Sequence, residues 1–175
     1  MAKACRPSPV KLVAGALFAD EGILLKAQGN LRRRFGAIDF TSRIIPFNFT
    51  RYYAEEMGEN LLRCFISFKK LISPDSLADI KIYTNNLEKR SSKGSKGRRI
   101  NLDPGYLSAA RLVLASCKDY AHRIYLKQGV YAEVTLYFQN GRFRAYPWTY
   151  PDYQSQGYLH AFNQIRSLYL KQLKA

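Results

Sequence analysis

The stretch from His122 to Trp148 constrains the fold more than any other part of this chain. Val130 to Phe138 alternates in polarity and ends at Asn140-Gly141. Asn-Gly is a strong hairpin signal, because both central positions of a type I′ turn need positive φ. Pairing about that turn sets Gln139 opposite Arg142, Tyr137 opposite Arg144 and Thr135 opposite Tyr146. His122 to Leu126 is a second strand candidate. A Lys127-Gln128-Gly129 loop sets Arg123 opposite Glu133 and Tyr125 opposite Tyr131. One face of the meander then carries Ile124, Leu126, Val130, Ala132, Val134, Leu136, Phe138, Phe143 and Ala145, which is a core face. The other carries Arg123, Tyr125, Tyr131, Glu133, Thr135, Tyr137, Arg144, Tyr146 and Trp148. A one-residue slip would bury the charges, so the pattern favours this register.

The first hundred residues read strand, helix, strand, strand, helix, strand. Val10 to Phe18 suits a buried strand. Asp20 offers an N-cap, Leu24, Ala27, Leu31 and Phe35 make a helical stripe, and Gly36 is placed to stop the helix. A second strand lies near Ala37 to Pro46 and a short helix at Tyr52 to Met57. Leu61 to Phe68 alternates, with Leu62, Cys64, Ile66 and Phe68 facing one way and Arg63, Phe65, Ser67 and Lys69 the other. Ser73-Pro74 opens a helix towards Leu87, and Arg99 to Leu102 suits a strand. A terminal helix from Ser155 to Leu173 shows Tyr158, Phe162, Ile165, Tyr169 and Leu173 as its apolar stripe. The expected fold is a single α+β domain. It has a mostly antiparallel sheet in ferredoxin-like βαββαβ order, a C-terminal meander and a terminal helix.

Composition removes other classes. With 47% hydrophobic residues and 24 aromatics among 175, a disordered chain is excluded. The longest apolar runs fall well short of the roughly 20 residues that span a bilayer. No signal peptide is evident, and residues 1–9 are expected to lack order. Three cysteines without CxxC spacing argue against a disulfide or zinc framework, so a cytoplasmic protein without a membrane partner is expected. The formal net charge is +15. Six of the cations lie in Glu88 to Arg99, a Ser/Gly-rich stretch expected to be a flexible loop, and without those six the charge falls to +9.

Three clusters could carry chemistry. Asn101-Leu102-Asp103-Pro104-Gly105-Tyr106 reads as a tight turn that presents Asn101, Asp103 and Tyr106. Lys118-Asp119-Tyr120-Ala121-His122-Arg123 could hold an anion and move a proton. Strand alternation would send His122 and Arg123 to opposite faces, and a plain Arg123–Glu133 ion pair accounts for Arg123. Trp148-Thr149-Tyr150-Pro151-Asp152-Tyr153 is either packing for the last helix or the rim of a pocket. No spacing among Asp103, Asp119, His122, Glu133 and Asp152 matches a metal motif, and no cofactor is named by the sequence. There is no GxxxxGK[ST] and no GxGxxG, which disfavours a P-loop or Rossmann enzyme.

Several segments are similar to those of a small prokaryotic family. They are Pro46 to Thr50 with Tyr52-Tyr53 and Glu56-Met57-Gly58, Arg99 to Leu107, His122 to Leu126, Tyr131 to Leu136 and Trp148 to Tyr153. Over about Lys11 to Arg166 the chain resembles the family of domain of unknown function 4416. The resemblance implies a cytoplasmic single-domain protein and no established activity. Some members carry an automatic GTP-binding label; this chain lacks the phosphate loop on which such a label rests.

The leading expectation is a site for an anionic small molecule, a nucleotide or phosphorylated metabolite, with hydrolase or transferase chemistry as an option. Asp103, Glu133 and His122 are the catalytic candidates. Asn101, Tyr106, Lys118, Arg123, Tyr150, Asp152 and Tyr153 are the binding candidates. The alternatives are an RNA or single-strand binder, whose bases stack on Tyr125, Tyr131, Tyr137, Tyr146 and Trp148, and a protein-interaction domain.

Overall fold

The computed structural model describes residues 1–92 and 97–174. Val10–Phe18 forms β1, buried along its whole length. Asp20 caps α1 (Glu21–Phe35), with Oδ1 accepting from Gly22 N at 2.6 Å and Ile23 N at 3.3 Å. Gly36 closes that helix at φ +94°, and its N–H donates to Arg32 O. Next come β2 (Ile38–Thr41), β3 (Ile45–Pro46), α2 (Ala54–Met57) and β4 (Leu62–Ile72). A 3-10 turn at Pro74–Ser76 leads into α3 (Leu77–Ser91). Then follow β5 (Ile100–Leu107), β6 (Arg111–Ser116), β7 (Ile124–Lys127), β8 (Val130–Gln139) and β9 (Arg142–Ala145). A second 3-10 turn, Pro151–Gln154, precedes α4 (Gln156–Gln172).

The nine strands make one sheet in the order β2-β4-β1-β5-β6-β8-β7, with β3 added to β4 and β9 to β8. Every pair is antiparallel. The fold is therefore α+β, with the expected βαββαβ order, meander and terminal helix. Among the described residues no helix is long and apolar enough to cross a membrane. α1 and α3 pack on one face against Leu12, Ala16, Phe18, Cys64, Ile66 and Leu102. α4 packs on the other face against Val13, Phe65, Leu107, Leu112 and Leu136. The strands at the centre are thus buried on both sides, and polarity alternation there does not divide wet from dry.

Several local expectations need correction. Asp103-Pro104-Gly105 is strand throughout, not a turn, because β1 pairs with it residue by residue from Ile100 to Leu107. The Asn140-Gly141 turn is as expected, with φ of 51° and 78° and Tyr137 opposite Arg144. The turn before it is shorter than expected: Gln128-Gly129 alone, at φ 55° and 73°. A bulge at Thr135 places one extra residue in β8 between the pairs Leu112–Leu136 and Val113–Val134. Val130, Ala132 and Val134 therefore face α3, while Leu136 and Phe143 face α4. β7 is an exposed edge, so Ile124 and Leu126 are not core residues (71% and 38% exposed). α3 runs four residues past Leu87 and buries Glu88; the central part of the expected basic loop, 93–96, lies outside the described residues.

The feature that shapes the site is a split in the sheet. β5 and β6 are paired only at Gly105–Leu114, Tyr106–Val113 and Leu107–Leu112. Beyond those pairs Ala115 and Ser116 stay with β8, while Ile100 to Asp103 stay with β1. The parting begins at Pro104, which has no N–H to donate. Leu102 presents its polar groups to the same side as Pro104, by the alternation of an antiparallel ladder. Those groups are satisfied by α3 instead of β6. Leu102 N–H donates to Glu88 Oε1 at 2.7 Å, and Lys81 Nζ donates to Leu102 O at 2.9 Å. At Gly105 the strands approach closely: a Cβ there would lie 2.3 Å from Val113 O.

Candidate functional site

The wedge between β5 and β6 opens into a cavity of about 910 Å³. β5 contributes Asn101 and Asp103, β8 contributes Glu133, and the turn before α4 contributes Tyr150, Asp152 and Tyr153. The segment after β6 adds Lys118 and Arg123. Eight of the ten residues singled out in the sequence thus line one cavity. Two do not. Tyr106 lies on the opposite face of β5, against the Val113 and Leu77 cluster. His122 sits behind Glu133 at 3.2 Å and stacks on Trp148 at 5.2 Å between ring centres. It reaches Glu133 together with Arg123 because residues 121–122 form a turn, so strand alternation does not apply to them.

Arg63 occupies the centre of the wall and is 2% exposed. Its Nη1 donates to Asp103 Oδ2 at 2.9 Å, and Nη2 lies 3.6 Å from Asp152 Oδ2. Its guanidinium carbon is 5.4 Å from the centre of the Phe47 ring. Asn101 Nδ2 also donates to Asp103, at 2.8 Å. Arg63 Nε and the Tyr153 hydroxyl are buried and have no hydrogen-bond partner among the described residues.

The two aspartates feel Arg63 differently. Burial works to raise the Asp103 carboxyl, but Arg63 and Lys81 outweigh it and hold the group below the usual aspartate range. Burial wins at Asp152, where Arg63 is farther away, and pushes that carboxyl up. Burial likewise raises the Tyr153 phenol. Two carboxyls whose environments push them apart can divide the roles of ionised partner and proton holder.

Glu133 is 3% exposed and accepts from Arg123 Nε at 2.8 Å and Thr135 Oγ1 at 3.2 Å. The Arg123–Glu133 ion pair expected from the sequence is present, although Arg123 lies just before β7 and outside its ladder. Arg123 also donates to Lys118 O and to the Tyr150 hydroxyl, each at 2.9 Å, which joins β8, the β6 exit and the Tyr150 loop. On the far wall Arg98 binds Glu56 at 2.9 Å, Glu88 at 3.0 Å and Asn101 at 2.8 Å. Burial pushes the Glu88 carboxyl up against the pull of Lys81 and Leu102 N–H. Lys118 reaches the Tyr52 hydroxyl at 2.9 Å, and Tyr52 and Phe49 form an exposed aromatic lip.

Sequence reasoning missed Arg63, Lys81, Glu88 and Arg98. A signal exists for two of them. Lys81 and Glu88 fall on the buried side of α3 with Leu77, Thr84 and Leu87, where a charge demands a partner. Cys117 lines the cavity, 3.2 Å from Asn85 Nδ2, whereas Cys64 is buried and its thiol pushed up to about 12. Among the described residues no three His, Cys, Asp or Glu side chains are grouped to hold a metal ion.

No curated protein matches the chain, and no solved structure does. A family model does, over residues 8–169, and its description is domain of unknown function. That match spans both walls of the cavity and nearly the whole fold, and the chain belongs to the family of domain of unknown function 4416.

Proposed function

We propose that the cavity binds a small anionic ligand of the nucleotide or phosphorylated-metabolite class. The observation that carries this reading is the wall built on Arg63. The buried Arg63 guanidinium, paired with Asp103 and close to Asp152, stands at the centre of that wall, on a cavity large enough for such a ligand. Arg63, Lys81, Lys89, Arg98, Lys118 and Arg123 face five carboxylates across the lining, so the site offers both donors and acceptors. That mixture suits a ligand with hydroxyls and a phosphate better than a bare anion. Phe49, Tyr52 and Tyr150 supply apolar faces at the mouth. In a hydrolase or transferase version, Asp152 holds the proton and Asp103 stays ionised.

The test is a thermal-shift panel of nucleotides, phosphosugars and inorganic phosphate with the full chain. A ligand at 100 times its Kd adds about 2.7 kcal/mol, which raises Tm by roughly 5–10 °C at this size. Lys118→Gln, at the exposed mouth, should fold normally and shrink that shift. A panel with no shift at millimolar ligand refutes the reading.

Nucleic-acid binding on the aromatic face has less support. Trp148 lies parallel to Tyr146 at 4.6 Å and to His122 at 5.2 Å, and Tyr146 also packs on Tyr137. Rings that cover one another offer little face to a base.

A further inference from the structure

The charge of this protein is concentrated away from the cavity. The cavity lining is nearly balanced, six cations against five carboxylates. The opposite end of the sheet is not. β4 runs from Arg63 in the cavity wall to Lys69-Lys70, six strand residues or roughly 20 Å away. There β4 carries two extra residues relative to β1, between the pairs Val13–Ser67 and Lys11–Leu71, and the bulge leaves Lys69 and Lys70 exposed.

The C-terminal ends of two helices flank that bulge. α1 ends in Arg32, Arg33 and Arg34, all exposed. The chain leaving it is tied to the bulge, since Lys69 N–H donates to Ala37 O at 2.8 Å. α4 arrives from the other face, where Gln172 Nε2 donates to Lys69 O at 2.7 Å, and it carries exposed Lys171. None of these six cations forms an ion pair among the described residues. Asp39, the acid beside them, is already taken by Lys11 and Ser67. Asp75 is exposed but lies beyond the strand, two residues before α3.

The helix dipole accounts for basic residues in a last helical turn. It does not account for paired lysines on a strand bulge between two such helix ends. Arg33 donates to Asn30 Oδ1 and Arg34 lies over the Tyr83 ring, but no acid neutralises any of the six among the described residues, and six such cations on one end fit a polyanion. The apolar contribution at this end is slight: Leu173 is the large hydrophobic exposed beside Lys171. Stable membrane anchoring requires apolar burial as well as charge, so a nucleic-acid backbone fits better than a lipid surface.

We infer that this basic end, formed by Arg32–Arg34, Lys69-Lys70 and Lys171, binds the phosphate backbone of nucleic acid without reading its bases. The surface is separate from the cavity and does not depend on a ligand there.

Fluorescence anisotropy tests it, using the full chain with labelled mixed-sequence RNA and DNA of about 20 nucleotides, from about 50 to 300 mM salt. The wild type should bind at low salt, with a log–log salt slope of about −4 for six phosphate contacts on a single strand. Lys69→Gln with Lys70→Gln should flatten that slope by roughly 1–2. Arg51→Gln with Lys127→Gln removes the same charge from exposed sites elsewhere and should change the slope by less than about 0.5. No binding at low salt overturns the inference. So does an equal effect of the two double variants, which would leave only net charge. Tighter retention on phosphatidylserine vesicles than on RNA would assign the surface to membrane and overturn it as well.

Discussion

Replacing Glu88 by Ala should destabilise the protein well beyond an ordinary helix substitution, and replacing it by Gln should not. The Leu102 N–H has no strand partner and is served by Glu88 Oε1 at 2.7 Å. Leu102 is fully buried. A hydrogen bond to a charged group contributes about 1.5–3 kcal/mol, and an orphaned buried N–H costs about 1–3 kcal/mol. Arg98 loses one carboxylate but keeps Glu56 and Asn101. Ala at this position should therefore cost about 2–4 kcal/mol. The Gln side-chain oxygen can still accept from Leu102, but its amide nitrogen cannot accept from Arg98 Nη1 and the charge is lost, so its cost should be about 1–2 kcal/mol. At this chain length 1 kcal/mol moves Tm by about 2–4 °C. Urea unfolding monitored by Trp148 fluorescence and by circular dichroism gives both values. Amide exchange at Leu102 should accelerate in the Ala variant before global unfolding does. If Ala and Gln lose the same stability, or both lose under about 0.5 kcal/mol, Leu102 is satisfied by solvent and α3 does not replace the missing ladder.

Other consequences are as direct. Gly105→Ala would set a Cβ 2.3 Å from Val113 O and 2.7 Å from Leu114 Cδ2, so it should cost about 3 kcal/mol or more in chemical unfolding. The Asp103 carboxyl is held low, so its stabilisation is present above the usual aspartate range and disappears as pH falls through its folded value. Asp103→Asn should accordingly be destabilised at pH 7 and converge on wild type in acid; a constant difference across that range would refute the Arg63 pairing. Asp152 is raised, so its contribution is full at low pH and lost as pH rises through its folded value. Asp152→Asn should thus gain on wild type as pH rises from acid to neutral, the opposite trend. Asn140→Ala with Gly141→Ala places Cβ-bearing residues at two positive-φ positions and should loosen the β8–β9 hairpin by about 1–3 kcal/mol, measured by unfolding.

Much of the framework was readable because it rests on short-range signals. The Asn140-Gly141 turn, the Asp20 cap and the Gly36 stop each depend on a few adjacent residues, and the α4 stripe holds from Tyr158 to Tyr169, whereas Leu173 lies past the helix and is exposed. The site was half readable. Asp103, Glu133, Asp152 and Tyr153 stood out by residue type, yet the reason they meet did not. Asp103-Pro104-Gly105 has the local chemistry of a turn, and only pairing with β1 holds it extended. Its residues then act differently: Pro104 ends the ladder to β6, and Gly105 lets the strands close. Alternation puts Arg63 on one face with Phe65, Ser67 and Lys69, and it becomes the centre of the wall because α4 covers that face too. His122 and Arg123 reach the same carboxylate because a turn, not a strand, carries them. Coverage of both faces shows in the continuous apolar run of β1, but it leaves no mark on a strand such as β4, where a buried Arg63 interrupts the pattern.

The split sheet has a mechanical consequence. β1 and β5 are fastened over eight residue pairs, whereas β5 and β6 are fastened over three. Within the sheet itself, the two halves are therefore joined by a short seam at Gly105 to Leu107, with the cavity in the open angle and α4 packed across both halves. Torsional compliance concentrates at the shortest seam, and a small rotation there displaces Asp103 and Cys117, two and three residues out along the two arms. A molecule seated in the wedge would act as a shim, setting the angle between the halves as well as filling the space.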